Sequence, residues 1–170
     1  MYLCVKFAFA NRRLMMERVC DIIQNELKNV DFEPMINIAH NYAAWEHHFD
    51  NNVIVHRKGA TRAYKGEIGI IPGSMGTCSY IVEGLGNPES FMSCSHGAGR
   101  VMGRKEAIKK LNLKDVIKFM DEKKIVHSIK DVNQLDEAPA AYKDIDIVMK
   151  NQADLVRPIE TLYPIAVVKG

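Results

Sequence analysis

Four short segments carry side chains suited to chemistry on phosphate. In Ser93-Cys94-Ser95-His96-Gly97-Ala98-Gly99-Arg100 a histidine is followed by two glycines and an arginine. An imidazole nitrogen is a competent nucleophile toward phosphorus, and small neighbours let a bulky ligand approach the ring. Arg100 would neutralise the phosphate. A turn with an incidental histidine produces the same string. Cys94 offers a thiol instead, but no neighbour lowers its pKa. His40-Asn41 follows the apolar run 36–39, read as a short strand. A histidine at a strand end either presents a neutral nitrogen to a divalent metal or caps the strand.

The remaining two segments are a basic run and a hydroxyl-rich loop. His56-Arg57-Lys58-Gly59-Ala60-Thr61 sets two cations beside a glycine, which suits phosphate by charge and by backbone N–H groups. A solvated charged turn has the same composition. Pro72-Gly73-Ser74-Met75-Gly76-Thr77, followed by Ser79, offers small hydroxyls and backbone donors but lacks the lysine of a P-loop. His47 and His48 lie beside Glu46 in a helix-like stretch. Being adjacent, they point to different sides of a helix and read as surface residues.

The elements that must position these segments alternate in character. Apolar residues Leu14, Met15, Val19, Ile22, Ile23 and Leu27 recur at three- and four-residue steps, which predicts an amphipathic helix over 7–27. Short strands are expected at 35–39, 53–55, 67–71 and 79–82. The chain's 11 glycines are concentrated between Lys58 and Gly103, so backbone wraps closely there. Helices are expected at 105–111, 113–123 and 142–155, and a last strand at 165–168. The pattern predicts a single α+β domain with a mixed, glycine-interrupted sheet and flanking helices. A chain that opens directly into a long helix, with few strands, reads as part of a larger sheet.

Composition excludes several classes. The 170 residues are 47 % apolar and 26 % charged, which is globular rather than disordered. Twenty-three basic against 21 acidic residues leave +2, too little to signal nucleic-acid binding by bulk charge. No apolar run reaches the ~18 residues of a membrane span. Residues 1–13 carry charges and no small-residue cleavage site, so no secretory signal is expected. Cys4, Cys20, Cys78 and Cys94 lack CxxC spacing, consistent with reduced thiols and a cytoplasmic location.

Taken in order, His40-Asn41, the segments from His56, Pro72 and Ser95, and Lys169-Gly170 resemble the C-terminal part of RtcB-type RNA ligases. The resemblance runs from Ala10-Asn11-Arg12 to the last residue. It implies an enzyme that uses GTP and Mn²⁺ to join RNA 2′,3′-cyclic phosphate or 3′-phosphate ends to 5′-hydroxyl ends, in tRNA splicing and RNA repair. It implies that His96 attacks the α-phosphorus of GTP and carries GMP. By the same resemblance His40 is a manganese ligand, and His40 and Asn41 line the guanylate site. Pro72, Gly73, Ser74, Met75 and Ser79 hold the nucleotide, while Gly97, Ala98 and Gly99 keep space beside the nucleophile. Lys169 meets the guanine. Tyr142 resembles the aromatic packed by the base, or is a helix-start tyrosine in the core. Arg57 and Arg100 are the candidates for RNA phosphate.

The family's Asp-x-Gly-Cys, Gly-x-Gly-Asn-His-Phe and His-x-Gly-Ser-Arg elements, which carry most of its metal site, do not occur in this sequence. The resemblance therefore implies that residues 1–170 form a C-terminal section with one manganese ligand of several. A partner chain supplying the N-terminal half is then expected. So are an exposed apolar face, around Met1, Met15, Met16 and the central strands, and self-association through it. Two other readings remain: a catalytically inactive RNA- or nucleotide-binding fragment, and a partner subunit that completes a split ligase.

Overall fold

The computed structural model describes residues 2–168. Its first helix, α1 (Tyr2–Glu26), follows the apolar stripe but buries none of its residues. Leu14, Met15, Met16, Val19 and Ile22 are all exposed. Arg12 Nε donates to Asn37 Oδ1 at 2.8 Å and Asn37 Nδ2 to the Phe9 carbonyl at 3.3 Å, tying α1 to the segment after it. Met1 lies outside the described residues.

Residues 30–39 form no regular element, so the strand expected at 35–39 is absent. The strand starts instead at Asn41. β1 (Asn41–His48) pairs antiparallel with β2 (Asn51–Lys58), in register Tyr42 with Arg57 and Glu46 with Val53. His47 and His48 are therefore strand residues rather than helical ones. Cross-strand pairing outweighs the weak local preference of Glu-His-His. His47 Nδ1 meets Asn52 Oδ1 at 3.0 Å, and His48 is buried against Glu46, not on the surface.

β3 (Ala60–Arg62) pairs with β6 (Ser93–Ser95), and β4 (Ile68–Ile71), β5 (Ser79–Gly84) and β7 (Val156–Leu162) form a second, three-stranded ladder. The α+β class stands. Among the described residues the strands divide among three small antiparallel sheets rather than one mixed sheet. β7 tolerates Pro158 because it is an edge strand, paired on one side only. The stretch 165–168 contributes a single parallel bridge, Val126 to Ala166.

α2 (Arg104–Lys110) and α3 (Leu113–Glu122) match the sequence pattern closely, and Asn112 caps α3 by accepting from the Lys114 N–H. α4 (Ile145–Lys150) is far shorter than 142–155. It starts where Asp144 caps the Asp146 and Ile147 N–H groups. One apolar core joins Ile71, Val82, Cys94, Ala98, Ile145, Met149 and Val156. A second joins Val116, Met120, Ile125, Ile129, Leu135 and Ala138. Among the described residues no helix is long and apolar enough to cross a membrane.

Candidate functional site

His96 emerges directly after β6, and His40 lies directly before β1. Their ring centroids are 5.6 Å apart, with planes tilted by 35°. His40 is exposed and His96 half-buried. Burial pushes the His96 pKa down, the nearby His40 lowers it further, and a backbone hydrogen bond with Gly59 acts the other way. The net shift favours the neutral imidazole, the state required for nucleophilic attack.

The loop after His96 is fixed from three sides. The Ala98 N–H donates to the Pro72 carbonyl at 2.9 Å, and the Lys143 N–H to the Gly99 carbonyl at 2.9 Å. The Ser95 N–H donates to Oε1 of the buried Gln152 at 2.9 Å. Gly99 has φ +74°, the left-handed region that favours glycine. His96, Gly97, Ala98 and Gly99 line an open cleft of about 690 Å³ together with Gly59 and Lys143. A neighbouring cleft of about 630 Å³ is lined by Thr77, Cys78, Tyr142, Asp146 and the shared Lys143 and Asp144.

The hydroxyl-rich loop is self-bonded. The Ser74 N–H donates to Thr77 Oγ1 at 2.7 Å, the hydroxyls of Ser74 and Thr77 meet at 2.9 Å, and the Gly73 N–H donates to Ser79 Oγ at 3.3 Å. A β-carbon on Gly73 would lie 2.1 Å from the Cys78 carbonyl oxygen, so only glycine permits this turn. Met75 packs against the second core. The fold thus brings His40, His96, Gly97, Ala98, Gly99 and Pro72 together. Gly73, Ser74 and Ser79 follow along the same loop, and Asn41 is exposed at the start of β1. Lys169 lies outside the described residues.

Arg57 does not stand free for RNA phosphate. Arg57 is 2 % exposed. Its guanidinium donates to both carboxylate oxygens of Glu46 (2.5 and 2.9 Å), to Ser93 Oγ (2.9 Å), to the Phe91 carbonyl (2.9 Å) and to the Tyr42 hydroxyl (3.2 Å). The Arg57 hydrogen bonds, with His48 adding its own, outweigh burial and hold the Glu46 pKa at about 2. Arg100 donates to the Met102 and Asp136 carbonyls, to Glu137 (3.0 Å) and to the Tyr142 hydroxyl (3.1 Å). All five N–H groups of Arg57 are donated to protein acceptors, which leaves none for a ligand, whereas Arg100 makes four such bonds and its side chain stays a quarter exposed. Tyr142 in turn donates to Glu137 and packs against the first core.

Sequence reasoning missed Lys143, Asp144, Gln152 and Glu46. Asp144 had a legible signal, a capping residue just before Ile145 and Ile147. The others act through partners distant in sequence. Cys94 is buried beside Thr61, and burial raises its pKa, which removes it as a nucleophile. Among the described residues no three His, Cys, Asp or Glu side chains are grouped to hold a metal.

The family model described as tRNA-splicing ligase RtcB matches residues 1–170. The chain is 48 % identical over 170 aligned residues to the Escherichia coli RNA-splicing ligase RtcB, covering 96 % of this chain and 41 % of that protein. It is 35 % identical over 192 residues to the tRNA-splicing ligase RtcB of Nanoarchaeum equitans, covering 96 % and 40 %. For the protein of that name from Methanocaldococcus jannaschii the identity is 33 % over 190 residues, covering 96 % and 20 %. The chain therefore spans about two fifths of the length of the Escherichia coli relative.

Proposed function

The chain belongs to the RtcB family, and on that footing we propose that residues 1–170 are the C-terminal, nucleotide-carrying section of a GTP-dependent RNA ligase. The observation that supports this most is the half-buried His96 opening onto a cleft walled by Gly97, Ala98 and Gly99, where burial favours the neutral imidazole. In the proposed reaction the imidazole attacks the α-phosphorus of GTP, a P–N bond forms, and pyrophosphate leaves with the electrons of the broken P–O bond. The guanylyl group then passes to an RNA 3′-phosphate, and a 5′-hydroxyl displaces GMP. Broken or spliced RNA ends, tRNA among them, are the proposed substrates, and the cytoplasm the proposed location.

Mn²⁺ does not fit this chain's described residues alone. His40 is one donor, and neutral imidazole with water binds such an ion weakly. Further ligands would come from the family's Asp-x-Gly-Cys and Asn-His elements, carried on the same polypeptide or on another. The exposed stripe of α1 favours such a partner, or a second copy of this chain, as cover for that face.

The test is α-phosphate-labelled GTP with Mn²⁺, given to the wild type and His96→Ala, each alone and with a polypeptide carrying the absent elements. Acid-labile label on wild type only is the expected result. No label on wild type in either setting sinks the ligase reading. The exposure of Lys58 and Lys143 beside the site favours one alternative, RNA or nucleotide binding without chemistry. Metal-independent RNA binding that weakens with salt and ignores His96→Ala would mark that alternative.

A further inference from the structure

We propose that Arg57 is a positioning residue, whose buried guanidinium struts the β1–β2 hairpin against β6 and so sets the separation of His40 and His96. Among the described residues the hairpin pairs only with itself. It is joined to β3 through Gly59, at φ +77° with nothing within 4 Å of its would-be β-carbon. That leaves steric room at the joint, where the backbone of Gly59 also meets His96 in a hydrogen bond. His40 sits at the start of the hairpin and His96 beyond β6, so pivoting at Gly59 would change the 5.6 Å between the two rings.

Arg57 spans this joint. It stands opposite Tyr42 in the β1–β2 register, two residues from His40. From there it donates to Ser93 Oγ and to the Phe91 carbonyl, at the start of the strand that ends beside His96. Glu46, on β1, neutralises the buried charge with both oxygens. At the hairpin tip the Phe91 ring packs against His48 (5.1 Å) and Phe49 (5.4 Å), so the strut ends on a fixed point. Only a planar fork with donors on three nitrogens reaches both sides at once, which a lysine ammonium does not. The catalytic consequence rests on the reading of His96 as the guanylate carrier. The geometric claim does not.

The closing experiment separates the two. Nuclear Overhauser cross-peaks between the His40 and His96 ring protons are compared in wild type, Arg57→Lys and Ser93→Ala. His96 labelling by GTP is then followed at saturating nucleotide, with the partner polypeptide present. Arg57→Lys should lose the cross-peak and slow labelling about tenfold or more, with the half-saturating GTP concentration little changed. Ser93→Ala, which removes one acceptor, should weaken the cross-peak while the unfolding midpoint stays near that of wild type. Wild-type cross-peak intensity and labelling rate in both variants overturn the strut. If Arg57→Lys does not fold, an undiminished cross-peak in Ser93→Ala overturns it equally. An unlabelled wild type would overturn the guanylate reading, leaving the cross-peaks to decide the strut.

Discussion

His40 and His96 approach ring to ring across two different sheets, 5.6 Å between centroids, although 55 residues of chain separate them. Burial is the larger cause of the lowered His96 pKa and His40 the smaller. His40→Ala should therefore raise the His96 titration midpoint, yet leave it below an ordinary histidine, as read by NMR. A midpoint that stays put would mean the two rings do not sense each other. The sign for stability follows from the same shift. The unfolded state takes up this proton first, so the group withdraws stability as pH falls through about 6.5.

Glu46 gives the opposite case. Its pKa falls from 4.5 to about 2 on folding, so its contribution is full above the unfolded value and is lost as pH drops between the two. Urea midpoints measured across that window should fall in wild type. Glu46→Gln should be less stable at neutral pH, by about 3–5 kcal/mol, because Arg57 stays buried without its counter-charge. The variant should also show a flatter acid limb. An unchanged acid limb would remove Glu46 as its source.

Gly73→Ala should be among the costlier single-methyl additions. The tightest clash, with the Cys78 carbonyl oxygen, is backbone against backbone and cannot be relieved by a side-chain move, and the Thr77 hydroxyl adds a second at 2.5 Å. A loss of about 1–3 kcal/mol is expected in chemical denaturation. Gly103, with open space around its β-carbon position, supplies the control, and Gly103→Ala should change stability little.

Met120 is fully buried in the second core, against which Met75 packs. Met120→Ala should cost about 2–5 kcal/mol. It should also speed hydrogen exchange at the Gly73 and Ser74 amides, whose acceptors lie in the same loop. The Ala98 amide belongs to the other core and should exchange as before. Equal acceleration at all three would show that the two cores open as one.

What the sequence revealed was local. The small residues around His96 can be read without knowing any partner, and α2 and α3 announce themselves by three- and four-residue apolar steps and by Asn112. The inward face of the β1–β2 hairpin was opaque because it is polar. Glu46, His48 and Arg57 fill positions where a hydrophobic alternation would be sought. Arg57 beside Lys58-Gly59 looks solvated until Glu46 is found across the hairpin. β7 was missed because Arg157, Pro158 and Glu160 break any strand pattern, and its pairing with β5 is set at long range.

That long-range pairing orders events in time. β7 docks on β5 from more than 70 residues away, Ser79 against Leu162, and such non-local closures are slow because loop entropy is lost before any contact rewards it. Gln152, which seats Ser95, is made 57 residues after it. A ribosome would thus complete the hairpin around Arg57 early, but the loop bearing His96 would stay unseated until Gln152 had emerged. A pause in translation before residue 150 would leave β5 with an open edge, ready to pair with another chain.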